Sequence, residues 1–177
     1  MHPELERVLG NLPDSDLTAL DLADVRARRA AAGALEDSIS YVRRVIQVRL
    51  DILGTELAHR RSGGSPADSR ELVARLPQIL AERGGASGQA QAPRDLLFPD
   101  VDAALVTAVD EVVTTAQLAS VDQVDDESLA DLVDRLEVLE GEVSATRHAL
   151  HERLDALQGE IVRRYRTGEA SVDSLLQ

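Results

Sequence analysis

At 177 residues the chain can bury one moderate core, but two tyrosines and one phenylalanine are its whole aromatic stock, which argues against a compact sheet-containing domain. Its 32 acidic residues outnumber 19 basic ones, all arginine, and the net charge of −13 disfavours bare nucleic acid or an anionic membrane as partner and favours a basic one. The absence of cysteine excludes disulfides and thiolate metal sites, no apolar run is long enough to span a membrane, and no basic-then-apolar leader opens the chain, so a cytoplasmic protein is expected.

Leu, Val, Ala, Glu, Asp and Arg dominate, a composition that suits long helices or coiled coils. Residues 1–20 form an N-terminal segment, a possible partner contact, with an apolar stretch (Leu5, Val8, Leu9, Leu12) followed by Pro13, Asp14, Ser15 and Asp16, which end one element and begin another. Asp21 is placed to cap a long helix over 21–61, which Gly63, Gly64 and Pro66 stop. Within it Leu35, Ile39, Val42, Ile46, Leu50, Leu53 and Leu57 recur at spacings of three and four, the pattern of a two-helix seam.

Residues 62–124 read as a linker containing short helices. Asp68 and Ser69 lead an amphipathic stretch through Leu72, Leu76, Ile79 and Leu80, with Pro77 as a kink, and 84–93 is a Gly-, Ala-, Ser- and Gln-rich linker. A helix over 100–120 is expected against the propensity of its many valines and threonines. A second long helix follows over 125–167 behind Asp125, with the seam Leu139, Val143, Thr146, Leu150, Leu154, Leu157 and Ile161, and 168–177 form a tail.

The strongest signal is a repeat. Glu36, Ser40, Arg43, Gln47 and Asp51 lie at spacings of four, three, four and four, so they form a ladder on one helical stripe. The ladder returns 104 residues later as Glu140, Ser144, Arg147, His151 and Asp155. Around it, ten of the 26 residues from 35 to 60 are identical at the same offset (Leu35, Glu36, Ser40, Arg43, Arg49, Leu50, Asp51, Leu53, Glu56 and Arg60), against roughly two or three for helix-biased composition alone. Each ladder residue follows a seam residue, so the ladders line the seam's edge.

Arginine matches the N7 and O6 acceptors of guanine bidentately, a carboxylate accepts from guanine's N1–H and amine, and serine or glutamine serves phosphate and sugar oxygens. Two such sets suit a dinucleotide that offers each the same edge. The same residue types also make ordinary ion pairs along coiled coils, worth a few tenths of a kcal/mol. On the residues alone, a ligand site and a structural or adaptor coiled coil without a ligand both stand. An enzyme is the remote alternative: Ser40 and Ser144 lack a base within their own ladders, and His148, His151 and Glu152 lack further ligands for a metal. Gly63–Gly64 and Gly84–Gly85 follow no strand and lack a phosphate-loop lysine.

The pattern E-x3-S-x2-R-x3-Q-x3-D, within Ser40-Tyr41-Val42-Arg43-Arg44-Val45-Ile46-Gln47 and on to Asp51-Ile52-Leu53, resembles the signature of the RsiG anti-sigma factors of actinobacteria. The second ladder and the tail from Arg163-Arg164-Tyr165-Arg166 to Leu176 are similar to that family as well. The resemblance covers 21–61 and 125–177 and is weak over 62–124. It implies an all-α protein whose two long helices form an antiparallel coiled coil. It further implies that both ladders bind an intercalated pair of cyclic-di-GMP molecules, and that the loaded protein sequesters a sporulation or motility sigma factor of the WhiG type, with no direct DNA contact. His151 in place of glutamine departs from the pattern; imidazole still donates to a phosphate or base, but makes that rung pH-sensitive.

Overall fold

Two capped helices dominate the computed structural model, which describes residues 1–10, 16–65, 101 and 103–169. Helix α1 spans Pro3–Gly10 and α2 spans Leu22–Arg61; α3 (Ala103–Asp110) and α4 (Thr115–Ala119) precede α5 (Asp126–Thr167). A single 3₁₀ turn leads into each long helix, at Leu17–Ala19 and Val121–Gln123. No strand occurs among the described residues. The amphipathic stretch expected over 68–80, the linker 84–93 and the tail beyond residue 169 lie outside them.

Both long helices start where their caps predict. The Asp21 carboxylate accepts from the N–H of Asp24 at 2.7 Å, and that of Asp125 from the N–H of Ser128 at 2.8 Å, satisfying donors that the first helical turn leaves over. α2 ends at Ser62 and Gly63 (φ +88°), and α5 at Gly168 (φ +76°), left-handed positions that suit glycine. With 40 and 42 residues, each helix is about 60 Å long.

The pair is antiparallel: Arg26 meets Tyr165, Arg43 meets Glu140 and Arg60 meets Asp126, so numbers rise on one helix as they fall on the other. Seam residues Ile39, Val42, Ile46, Leu53 and Leu57 are buried against Leu139, Val143, Thr146, Leu150 and Leu157, while Leu35, Leu50, Leu154 and Ile161 are half-buried. Burying one such aliphatic side chain is worth about 1.5–3 kcal/mol, so the seam outweighs helix propensity in holding α2 and α5 together.

The helix expected over 100–120 is two helices instead. Thr114 and Gln117 form a reciprocal capping box, with Gln117 N–H on Thr114 Oγ1 at 3.2 Å and Thr114 N–H on Gln117 Oε1 at 2.8 Å, which starts α4 afresh after the β-branched run at 112–115. Leu5 and Val8 of α1 and Leu105 and Val109 of α3 join the seam's core from one side. There Arg49 donates to the Val113 carbonyl and to Asp110 Oδ1 (2.7 Å), and Arg153 donates to the Leu9 carbonyl at 3.0 Å. Shifting Arg49 and Leu9 by 104 residues gives Arg153 and Val113, so these two backbone contacts are one contact made twice. The short helices thus cover one edge of the seam, and the ladders occupy the other.

Candidate ligand-binding site

The ladders meet across the helix pair and interlock. Arg43 Nε donates to Glu140 Oε1 and Ser144 Oγ, both at 2.9 Å, and Gln47 Nε2 donates to the same Glu140 oxygen at 3.2 Å. In the equivalent cluster Arg147 Nε donates to Glu36 Oε1 at 2.9 Å and Ser40 Oγ at 2.8 Å, and His151 Nε2 lies 3.3 Å from Glu36 Oε1. Each serine hydroxyl donates to the glutamate one turn before it, at 2.6 Å for Ser40 and 3.1 Å for Ser144. Each ladder lies on one helix, but each cluster joins the arginine of one helix to the glutamate and serine of the other. Asp51 and Asp155 sit one turn beyond Gln47 and His151, half-buried and exposed respectively.

Both guanidiniums spend only Nε on this network. Among the described residues neither Arg43 nor Arg147 hydrogen-bonds through its terminal nitrogens, and the two side chains are 36% and 38% exposed. Each arginine is therefore anchored at the elbow and keeps a two-nitrogen fork for an acceptor, the geometry that suits a phosphate or a purine edge. The glutamates are the better-buried partners, 16% exposed at Glu36 and 22% at Glu140. Burial disfavours a charged Glu36, but hydrogen bonds from Ser40 and Arg147 and the charges of Arg147 and His151 outweigh it and hold its carboxyl below the usual range. Tyr41 is half-buried against the core.

Sequence reasoning missed the groups that fix the register of the ladders. Arg60, buried, donates through Nε to Glu56 Oε1 (2.6 Å), through Nη1 to the Val124 carbonyl (2.6 Å) and Asp126 Oδ1 (3.0 Å), and through Nη2 to the Val121 carbonyl (2.8 Å). At the other end Arg164 donates through Nε to Glu160 Oε1 (2.6 Å) and through Nη2 to the carbonyls of Leu17 and Leu20, both at 2.8 Å. Each latch grips the 3₁₀ turn that launches the opposite helix. Glu56 and Arg60 stand among the ten identities of the repeat, so the signal was present; charged residues at helical spacing simply read as surface until a turn closes over them.

Among the described residues no three His, Asp or Glu side chains are grouped as metal ligands, and His148, 78% exposed, approaches only Glu152 at 3.6 Å. No helix among them is long and apolar enough to cross a membrane. A family model described as RsiG-like matches residues 11–80 and 115–177, a span that includes both ladders and both latches. Comparison with curated proteins gives no match.

Proposed function

This chain belongs to the RsiG-like family, and from that premise we propose that it is a cyclic-di-GMP-responsive anti-sigma factor, not an enzyme, which binds the nucleotide on the open edge of the seam and, once loaded, sequesters a sigma factor of the WhiG type. The observation that carries the reading is the pair of arginines, Arg43 and Arg147, anchored through Nε in equivalent clusters on one edge, with terminal nitrogens that make no hydrogen bond among the described residues. Two forks related by the repeat fit a ligand that presents the same acceptor edge twice. Ser40 and Ser144 each face a carboxylate already bonded to arginine, a weak base, which suits binding better than nucleophilic chemistry.

Glu36 and Glu140 offset the arginine charges across the pair, and a ligand's phosphates at the terminal nitrogens add a second tie between the helices. Ligand contacts of that kind favour one helix register. A nucleotide that binds the sigma-competent register about 1.4 kcal/mol more tightly than the other shifts the equilibrium between them tenfold. The net charge of −13 suits competition for a basic DNA-binding surface, and the charge is uneven: residues 21–61 carry eight arginines and six acids, residues 125–166 six and eleven.

One observation favours the ligand-free adaptor reading: the clusters already neutralise themselves within the chain, as structural ion pairs do. Calorimetric titration with a panel of cyclic dinucleotides, followed by sigma-factor affinity with and without saturating nucleotide, separates the two. Saturable binding of cyclic-di-GMP with at least a tenfold gain in sigma affinity is expected. Absence of nucleotide binding leaves the adaptor reading, and binding that leaves sigma affinity unchanged removes the switch.

A further inference from the structure

The repeat is obeyed by the arginine hydrogen bonds of the two clusters, and one rung differs in kind. Gln47 Nε2 and His151 Nε2 occupy equivalent places, 3.2 Å from Glu140 Oε1 and 3.3 Å from Glu36 Oε1. Imidazole therefore takes the place of the amide beside the carboxylate: Gln47 donates a hydrogen bond to Glu140, whereas His151 lies within ion-pair distance of Glu36. What differs is charge. An amide is neutral at every pH, whereas a histidine changes charge within the range pH 5 to 8. Gln47 adds no charge to the cluster of Arg43 and Glu140, whereas a protonated imidazole in the equivalent place adds one positive charge to that of Arg147 and Glu36.

The surroundings leave that charge in contact with solvent. His151 is 44% exposed at its side chain. From α2 it is faced by the Glu36 carboxylate, itself bonded to Arg147 and Ser40. On its own helix Arg147 precedes it by one turn and Asp155 follows by one turn, while the neighbouring His148 pairs with Glu152. A proton gained at His151 thus appears one turn from Arg147, whose terminal nitrogens make no hydrogen bond among the described residues.

Resting on the nucleotide-binding reading above, we infer that His151 makes the two half-sites inequivalent and couples ligand affinity to proton uptake at the second one. Protonation adds one positive charge next to a phosphate. A unit charge about 4 Å away in bulk water tightens binding about fivefold. The first half-site holds the ligand at any pH, and the second tightens as the medium acidifies. Affinity rises as pH falls through the histidine range, because the ligand favours the protonated imidazole.

The test is calorimetric titration of the full chain with cyclic-di-GMP at pH 5.5 to 8.5 and constant ionic strength, in buffers of different ionisation enthalpy. Wild type is expected to bind about fivefold more tightly at the acidic end and to take up a fraction of a proton on binding. His151→Gln should bind with neither slope nor uptake, and Gln47→His should increase both. Tight wild-type binding with no pH slope, or a slope and proton uptake that persist in His151→Gln, overturns the inference while leaving the nucleotide reading standing. No binding by either protein at any pH overturns both.

Discussion

Arg60→Ala is the sharpest perturbation of the frame that holds the ladders. The substitution removes a side chain that is 4% exposed and leaves behind the carboxylate of Glu56, 0% exposed, together with two carbonyls of the turn that launches α5. Removing one partner of a buried ion pair costs about 3–5 kcal/mol, because the remaining carboxylate keeps its desolvation penalty and loses its arginine. At about 2–4 °C per kcal/mol for a chain of this size, the midpoint should fall by roughly 6–20 °C. Arg164→Ala, its counterpart under the repeat, should be milder, since Glu160 keeps Arg163 at 2.8 and 2.9 Å. Replacing Glu56 and Arg60 together by leucine and methionine should recover most of the loss, as buried pairs are replaceable by apolar side chains of similar volume. Thermal and urea melts followed by far-ultraviolet circular dichroism, with the urea slope checked for two-state behaviour, read all three. A midpoint within 2 °C of wild type for Arg60→Ala, or a greater loss for Arg164→Ala, would show that the first latch does not hold the turn.

Two further predictions concern pH and the helix ends. Hydrogen bonds from Arg163 and then Arg164 pull the Glu160 carboxyl from its ordinary 4.5 to about 2, so its contribution to stability is complete above pH 4.5 and is lost as pH falls towards 2. The difference in midpoint between wild type and Glu160→Gln should therefore be constant from neutral pH to about 5 and shrink below 4.5; a gap that widens on acidification contradicts the assigned ion pairs. Gly168→Ala, at φ +76°, should cost about 1 kcal/mol in a urea melt, whereas Gly159→Ala, inside α5 with nothing within 4 Å of an added Cβ, should gain about 0.5–1 kcal/mol; equal effects would mean that α5 does not end at Gly168.

The long helices were legible because their determinants are local: Asp21 and Asp125 cap, the glycines stop, and the apolar spacing marks the face each helix buries. The ladder was legible for the same reason, since residues three and four apart share a stripe whatever the partner does. Which helix completes each half-site was not. Arg43 pairs with Glu140 and not with Glu36 about two turns away on its own helix, a choice made by the antiparallel register and invisible to periodicity. Arg49, Glu56, Arg60, Glu160 and Arg164 were opaque in a different way: each has a surface-type side chain, and each is buried only because the turns and short helices close over it. The break between α3 and α4 depends on the Thr114 and Gln117 box, which is readable once the valine run is taken as a stop and not as a weak helix.

The proposed function requires Arg43 and Arg147 to act on a single guest from opposite helices of one hairpin. Calorimetric titration of Arg43→Ala, Arg147→Ala and the double variant with cyclic-di-GMP, alongside their circular dichroism, tests it most directly. Each single change should weaken binding by about 1–3 kcal/mol with helicity unchanged, and the double variant should fall short of the summed losses because both forks serve one ligand. Wild-type affinity in either single variant would contradict it.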